Sequence, residues 1–287
     1  MDYAARERSE DDASRERTEA SLPPRLPHRF SRCARRAEDP RERLDAVKTP
    51  LTRCPILLDD GFLLAVAKPE GVLSHPNSGG PRARCAFEGR YDPSARRFDS
   101  PSGPVWLVHR LDQDTSGVLL AARDETVAAA CRVLFEQRKL RKSYLALVQG
   151  FPRPPQGRWL DRLLKLGGQG SVRSVVARGG PPNAELVYRV RRDFPSARAC
   201  LVQILLVTGR THQARVQAAA RRHPVAGDRV YGDFAWNREL KRRAGLRRLF
   251  LHAQRLEFHH PDGGAPVRLE SPLPDELQSA LDVLAKE

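Results

Sequence analysis

The sequence predicts an α+β fold with a mixed, mostly antiparallel sheet and flanking helices. Two observations predict it. Short apolar segments with strand character outnumber segments with helical spacing, and the connections between them vary in length. A third observation, the absence of an internal repeat, excludes solenoids and propellers. At 287 residues the chain can bury a substantial core.

Taken in order, residues 1–50 mix alternating charges ("ARERSEDDASRERTEA") with prolines and scattered arginines, and few apolar residues recur at a regular spacing. They are expected to form a disordered, Arg-rich extension, with the folded domain over 51–287. Order should begin near Ile56, turn at Asp59-Asp60-Gly61, and enter a strand over Phe62–Ala67. Residues 77–104 are rich in turn formers and read as one long surface loop. Strands are expected at Val105–Val108 and Val118–Ala122. A helix should follow, with Asp124 as its cap and Val127, Ala130, Cys131, Leu134 and Phe135 on one face. Further strands are expected at Tyr144–Gln149, Ala184–Val190, Ala199–Val207, Phe250–Phe258 and Val267–Leu269. Helices are expected over Thr211–Arg221 and at the C-terminus, where Leu277, Ala280, Leu281 and Leu284 share a face.

Charge narrows the partner. The chain carries 50 Lys+Arg against 35 Asp+Glu, a net of +15. Residues 1–50 hold 12 basic and 11 acidic groups, leaving 38 and 24 in residues 51–287, a net of +14. The positive field therefore belongs to a shaped surface, which favours a polyanionic partner. The five cysteines (Cys33, Cys54, Cys85, Cys131, Cys200) form no C-x-x-C pair, and His109, His212 and His223 lack zinc-ligand spacing. No metal is expected, and the setting is expected to be a reducing cytoplasm. No apolar run approaches the ~20 residues of a membrane span, and no signal-peptide core is seen. A monomer is expected.

Several residues invite a chemical reading, although each has a structural one. In "LVHRLDQDTSG" (Leu107–Gly117) Asp112 could be a turn carboxylate. Tyr144 in "KSYLALVQG" could be core, Arg210 a surface cation, and Thr208 or Thr211 a helix cap. Their ordered combination is more specific. "HRLDQDTSGVLL" resembles the signature of the RluA family of pseudouridine synthases. "KPEG", "KSYLALVQG", "TGRTHQARV", "HPVAGDRVYGD" and "RLFLHAQRLEFHHP" resemble its other blocks, over about residues 56–285. The 231–253 region looks most like the branch acting on large-subunit ribosomal RNA.

This resemblance implies a pseudouridine synthase fold with a central active-site cleft, and an enzyme that detaches uracil from a ribose in RNA and rejoins it through carbon. It implies Asp112 as the catalytic carboxylate, Tyr144 against the target uracil, and Arg210 paired with Asp112. Arg110 would help displace the target nucleotide, while His109, Lys68, Thr115, Thr211 and His212 belong to the matched substrate-binding blocks. The reaction involves no net redox change or hydrolysis, so no cofactor is expected. It needs a flipped-out base, an aromatic surface to receive it, and a carboxylate kept ionised by a nearby cation. Whether that carboxylate attacks the sugar or removes a proton from it stays open. Ala214 and Gln217 depart from the family's usual isoleucine and histidine, and residues 1–50 are too short and polar to form the α-L domain of many relatives. RNA contact would then fall to the domain's own basic stretches, Glu136–Ser143 and Arg238–Arg248. Ribosomal RNA is the expected substrate, transfer RNA the alternative, and a catalytically retired RNA-binding or ribosome-assembly protein the rival from another class.

Overall fold

The apolar stretches flanking His-Arg-Leu-Asp become the middle of a sheet in the computed structural model, which describes residues 50–76, 84–168 and 171–287. Its strands, in chain order, are β1 (Ile56–Asp59), β2 (Leu63–Lys68), β3 (Arg90–Asp92), β4 (Arg97–Ser100), β5 (Gly103–Leu107) and β6 (Ser116–Ala122), then β7 (Arg141–Gln149), β8 (Gln156–Gly168), β9 (Ser171–Ala177), β10 (Ala184–Phe194), β11 (Ala199–Leu206), β12 (Leu251–His259) and β13 (Pro266–Glu270). The helices are α1 (Glu125–Glu136), α2 (Gln213–Ala220), α3 (Phe234–Ala244) and α4 (Asp275–Leu284). The strands run in the order β3-β4-β5-β6-β12-β7-β11-β10-β8-β9, with β2 also against β6, β1 against β2, and β13 against β12. Among the described residues the β6–β12 pairing is parallel and the other strand pairings are antiparallel. The predicted mixed, mostly antiparallel α+β architecture is therefore present.

β6 explains why "SGVLLAA" is an almost unbroken apolar run. All seven of its residues are buried, because both faces are covered. Leu120 and Ala122 pack with Val127, Ala128 and Cys131 of α1 on one side, and Leu119 and Ala121 pack with Phe98, Val105 and Leu107 on the other. The Asp124 carboxylate accepts from Val127 N–H at 3.0 Å and starts α1 as expected. At the far end α4 buries Leu277, Ala280, Leu281 and Leu284, the predicted face. Each such leucine contributes about 1.5–3 kcal/mol by leaving water.

The close parallel contact of β6 with β12 depends on one glycine. Gly117 pairs with Ala253 and has φ +116°, and a Cβ there would collide with the Ala253 backbone carbonyl. Gly117→Ala is expected to destabilise the fold by about 3–5 kcal/mol, from strain and overpacking together. A denaturation midpoint unchanged from wild type would contradict this.

Three features differ from expectation. Residues 90–104, read as loop, hold β3, β4 and the start of β5; these strands span three to five residues and intersperse aromatics with charges, too short for a period to show. The β8–β9 hairpin escaped because Leu160, Leu164, Leu166, Val175 and Val176 are exposed among basic and glycine residues, leaving no one-sided apolar pattern. α3 was hidden by its charge, with Trp236 and Leu240 buried one turn apart and Asp233 capping it. The expected disordered extension, 1–50, lies outside the described residues apart from Pro50, as do 77–83 of the expected loop.

Candidate active site

Asp112 lies in the turn between β5 and β6, where Thr115 N–H donates to its carbonyl at 3.1 Å. Its side chain is a quarter exposed and borders a cleft lined also by Arg110, Thr115, Tyr144, Arg210, His212 and Arg215. Arg215 Nη1 stands 3.4 Å from Asp112 Oδ2, while its Nε and Nη2 donate to the two Asp228 oxygens at 2.7 and 2.8 Å. Asp228 is fully buried and also accepts from Val230 and Tyr231 N–H. Burial works against both charges of this pair. Even so, the Asp228 carboxyl is held below the ordinary carboxylate range and the Arg215 guanidinium above its own, because each stabilises the other. One nitrogen edge of a locked guanidinium is thus presented to Asp112.

The expected Arg210–Asp112 pair is corrected by this arrangement. Arg210 Nε donates to the Asn183 carbonyl at 3.1 Å, and the residue is exposed at the cleft. The physical reason lies between the two arginines. His212 takes a left-handed backbone, φ +53°, and Gln213 Oε1 accepts from Thr208 Oγ1 and Arg210 N–H. The chain reverses there, and α2 starts at Gln213 with Arg215 on its inward side, 3% exposed. Thr208 serves this junction by bonding to Glu185 N–H and Gln213, and neither threonine caps the helix by a side-chain bond.

Tyr144, on β7 between Ala253 and Ile204 of the neighbouring strands, forms the aromatic wall of the cleft. Burial, then the Asp112 charge, push its phenol above the ordinary value, so the ring is neutral. His212 is fixed by Tyr231, whose hydroxyl accepts from Ser174 N–H at 2.8 Å and is hydrogen-bonded to His212 Nδ1 at 2.9 Å. His212 Nε2 stands 4.0 Å from Asp112 Oδ1. Burial lowers the His212 pKa despite Asp112 nearby, so at neutral pH Arg215 supplies the counter-charge.

Residues 63–220 match the RNA pseudouridylate synthase family, more than half of the chain. The chain is 39% identical over 240 residues to ribosomal large subunit pseudouridine synthase C of Yersinia pestis, covering 80% of this chain and 69% of that protein. The chain belongs to the RNA pseudouridylate synthase family. It is an isomerase of uridine in RNA. The protein of the same name in Escherichia coli K12 is 37% identical to the synthase over 236 residues, again covering 80% and 69% of the two chains. The solved structure of human RNA pseudouridylate synthase domain containing 4 superimposes with a TM-score of 0.59 at 25% identity, over 80% of the synthase and 92% of that chain.

Two expected substrate contacts of the synthase, His109 and Lys68, make hydrogen bonds to backbone groups in this structure. His109 Nε2 accepts from Leu120 N–H at 2.9 Å, its ring stacks on Phe135, and burial pushes its pKa down to about 3, so a neutral imidazole ties the motif to β6 and α1. Lys68 is 1% exposed and its ammonium donates to the carbonyls of Pro69, Val72 and Gln113, the last beside Asp112. Thr211 touches Arg110 through its hydroxyl at 3.5 Å and accepts from Ser174 Oγ through its carbonyl. Thr115 borders the cleft, and its buried hydroxyl has no hydrogen-bond partner among the described residues. Arg248, placed in a stretch expected to touch RNA, is buried and donates to Ser116 Oγ at 2.7 Å. Sequence reasoning missed Arg215, Asp228 and Tyr231, although each lies inside a matched block.

Lys68 yields a test. Lys68→Met keeps the stem and leaves three carbonyl acceptors without their donor, that of Val72 in a buried contact, which should cost about 3 kcal/mol in stability and lower kcat by loosening the Asp112 turn. Burial brings the Lys68 pKa down to about 8 from 10.5. The folded state therefore binds fewer protons than the unfolded one between those values, and this residue's contribution to stability rises with pH across that window. Lys68→Met should remove that rise; an unchanged pH dependence would contradict the assignment.

Proposed function

We propose that the synthase isomerises uridine in large-subunit ribosomal RNA, with Asp112 as its catalytic carboxylate. The observation that carries the reading is the Asp228–Arg215–Asp112 array beside the Tyr144 ring in a single cleft. A uridine flipped from its stack would lay its base against Tyr144, with its ribose toward Asp112. Arg110, exposed on the cleft rim, would occupy the space the base leaves. The N1–C1′ bond breaks, the uracil turns, and a C5–C1′ bond forms, while the C5 proton leaves and N1 gains one, so the product is an isomer. Whether Asp112 attacks C1′ or removes a ribose proton, it must enter the reaction ionised, and Arg215 favours that state. The ribosomal assignment is supported by relatives at 35–39% identity, each named as a large-subunit enzyme.

Mapping pseudouridines in RNA from cells lacking the protein tests the substrate. Loss of specific sites in large-subunit RNA, with transfer RNA intact, is expected. Loss confined to transfer RNA would overturn the ribosomal reading, and loss in neither pool would count against both.

A further inference from the structure

A second, open cavity lies beside the cleft, lined by His75, Tyr91, Arg96 and Arg110 among others, and Arg110 borders both spaces. We propose that it holds an unpaired nucleobase of the substrate RNA next to the target uridine, stacked on His75; this rests on the RNA-isomerase reading above.

Four rings make the surface. Phe87 and Phe98 are buried with centroids 5.9 Å apart, Tyr91 packs on Phe98 at 4.8 Å, and His75 lies nearly parallel to Tyr91 at 5.4 Å and 13°. The rings form a column from core to surface, and it ends at His75, which has one face on Tyr91 and stands at an open cavity. A purine or pyrimidine is the natural next member, since every base offers a flat π face. Nδ1–H of His75 donates to the Pro76 carbonyl at 3.0 Å, which fixes the plane of the ring.

Arg96 points to the same ligand class. It occupies a left-handed backbone, φ +52°, at the turn between β3 and β4, where glycine or asparagine would sit with less strain. The turn is rigid. The Asp92 carboxylate accepts from Ser94 N–H, Ser94 Oγ and Ala95 N–H, and the Arg96 carbonyl accepts from Leu107 N–H at 2.8 Å. Arg96, carried on this rigid turn, and Arg110 both line the cavity and bring two guanidinium groups to it for the flanking phosphates. An aromatic platform between cations suits a nucleotide better than an apolar peptide.

The test pairs binding with catalysis. A single-stranded hexanucleotide carrying 2-aminopurine beside one uridine should lose fluorescence on binding wild-type protein, as the probe base stacks. His75→Leu should abolish the quench and raise KM on large-subunit ribosomal RNA about tenfold, with kcat falling less than threefold. His75→Phe should restore both. Arg96→Gly relieves backbone strain, so it should fold at least as stably as wild type and still raise KM several-fold. A quench and KM unchanged in folded His75→Leu would overturn the subsite while leaving the isomerase intact. A quench lost in His75→Leu, with wild type inactive on RNA, would instead uphold the subsite and overturn the isomerase reading.

Discussion

Asp112→Asn is expected to make no detectable pseudouridine, while its affinity for large-subunit RNA stays within about threefold of wild type. The substitution keeps the size and one acceptor oxygen of the side chain. It removes the negative charge that Arg215 holds in place and that the sugar chemistry needs, in either role. A loss of about ten-thousandfold or more in kcat is expected, as for other single groups on which a covalent rearrangement depends. Affinity survives because most of it comes from cations facing phosphate, and Asp112 contributes only repulsion to a polyanion. Filter binding at fixed salt alongside nucleoside analysis of the same RNA measures both. An active Asp112→Asn would remove the residue from the chemistry, and a folded variant that lost binding as well would make it a binding residue.

The second large effect is expected at Arg215, which serves two carboxylates. Arg215→Met leaves Asp228 charged, 0% exposed and without its partner, and should cost about 3–5 kcal/mol of stability. Arg215→Lys separates the two duties. A lysine ammonium can stay near Asp228, but it lacks the planar fork that reaches Asp112 at the same time. This variant should keep most of its stability and lose about a hundredfold or more in kcat, with KM little changed. Because the folded Asp228 carboxyl sits below its ordinary 3.8, the stability it contributes is present above that pH and is lost as pH falls through the lower folded value. Wild type should therefore show an acid unfolding limb below about pH 4 that Arg215→Met flattens. Wild-type kcat in Arg215→Lys would contradict the positioning of Asp112 by this arginine.

Much of the domain's centre was legible in the chain because its residues are used in one way only. β6 reads as a continuous apolar run since both of its faces are buried, and α4 shows its stripe since one face is. Asp112 and Tyr144 are singled out by the ordered blocks of the family resemblance, and both line one cleft. The arginine was a harder case. Arg210 and Arg215 lie five residues apart in one block, and the left-handed His212 and the start of α2 decide which of them faces inward. Such a reversal leaves no mark in composition. His109 and Lys68 are expected as contacts because both stand in blocks that match the family. Their hydrogen bonds are spent on backbone groups that a linear sequence does not bring together. The β3–β4 hairpin stayed hidden because its strands are too short to establish a period, yet it supplies Tyr91 and Arg96 to the wall beside the cleft.

The central claim is that the Asp112 cleft isomerises uridine in ribosomal RNA. It is tested most directly by tritium release from large-subunit RNA labelled at uridine C5, with labelled transfer RNA as a separate pool and Asp112→Asn as control. In this isomerisation C5 loses its proton as carbon replaces nitrogen at the sugar. Release from the ribosomal pool by wild type, with none from Asp112→Asn, is the result predicted. Equal release by the variant, or release from transfer RNA alone, would contradict it.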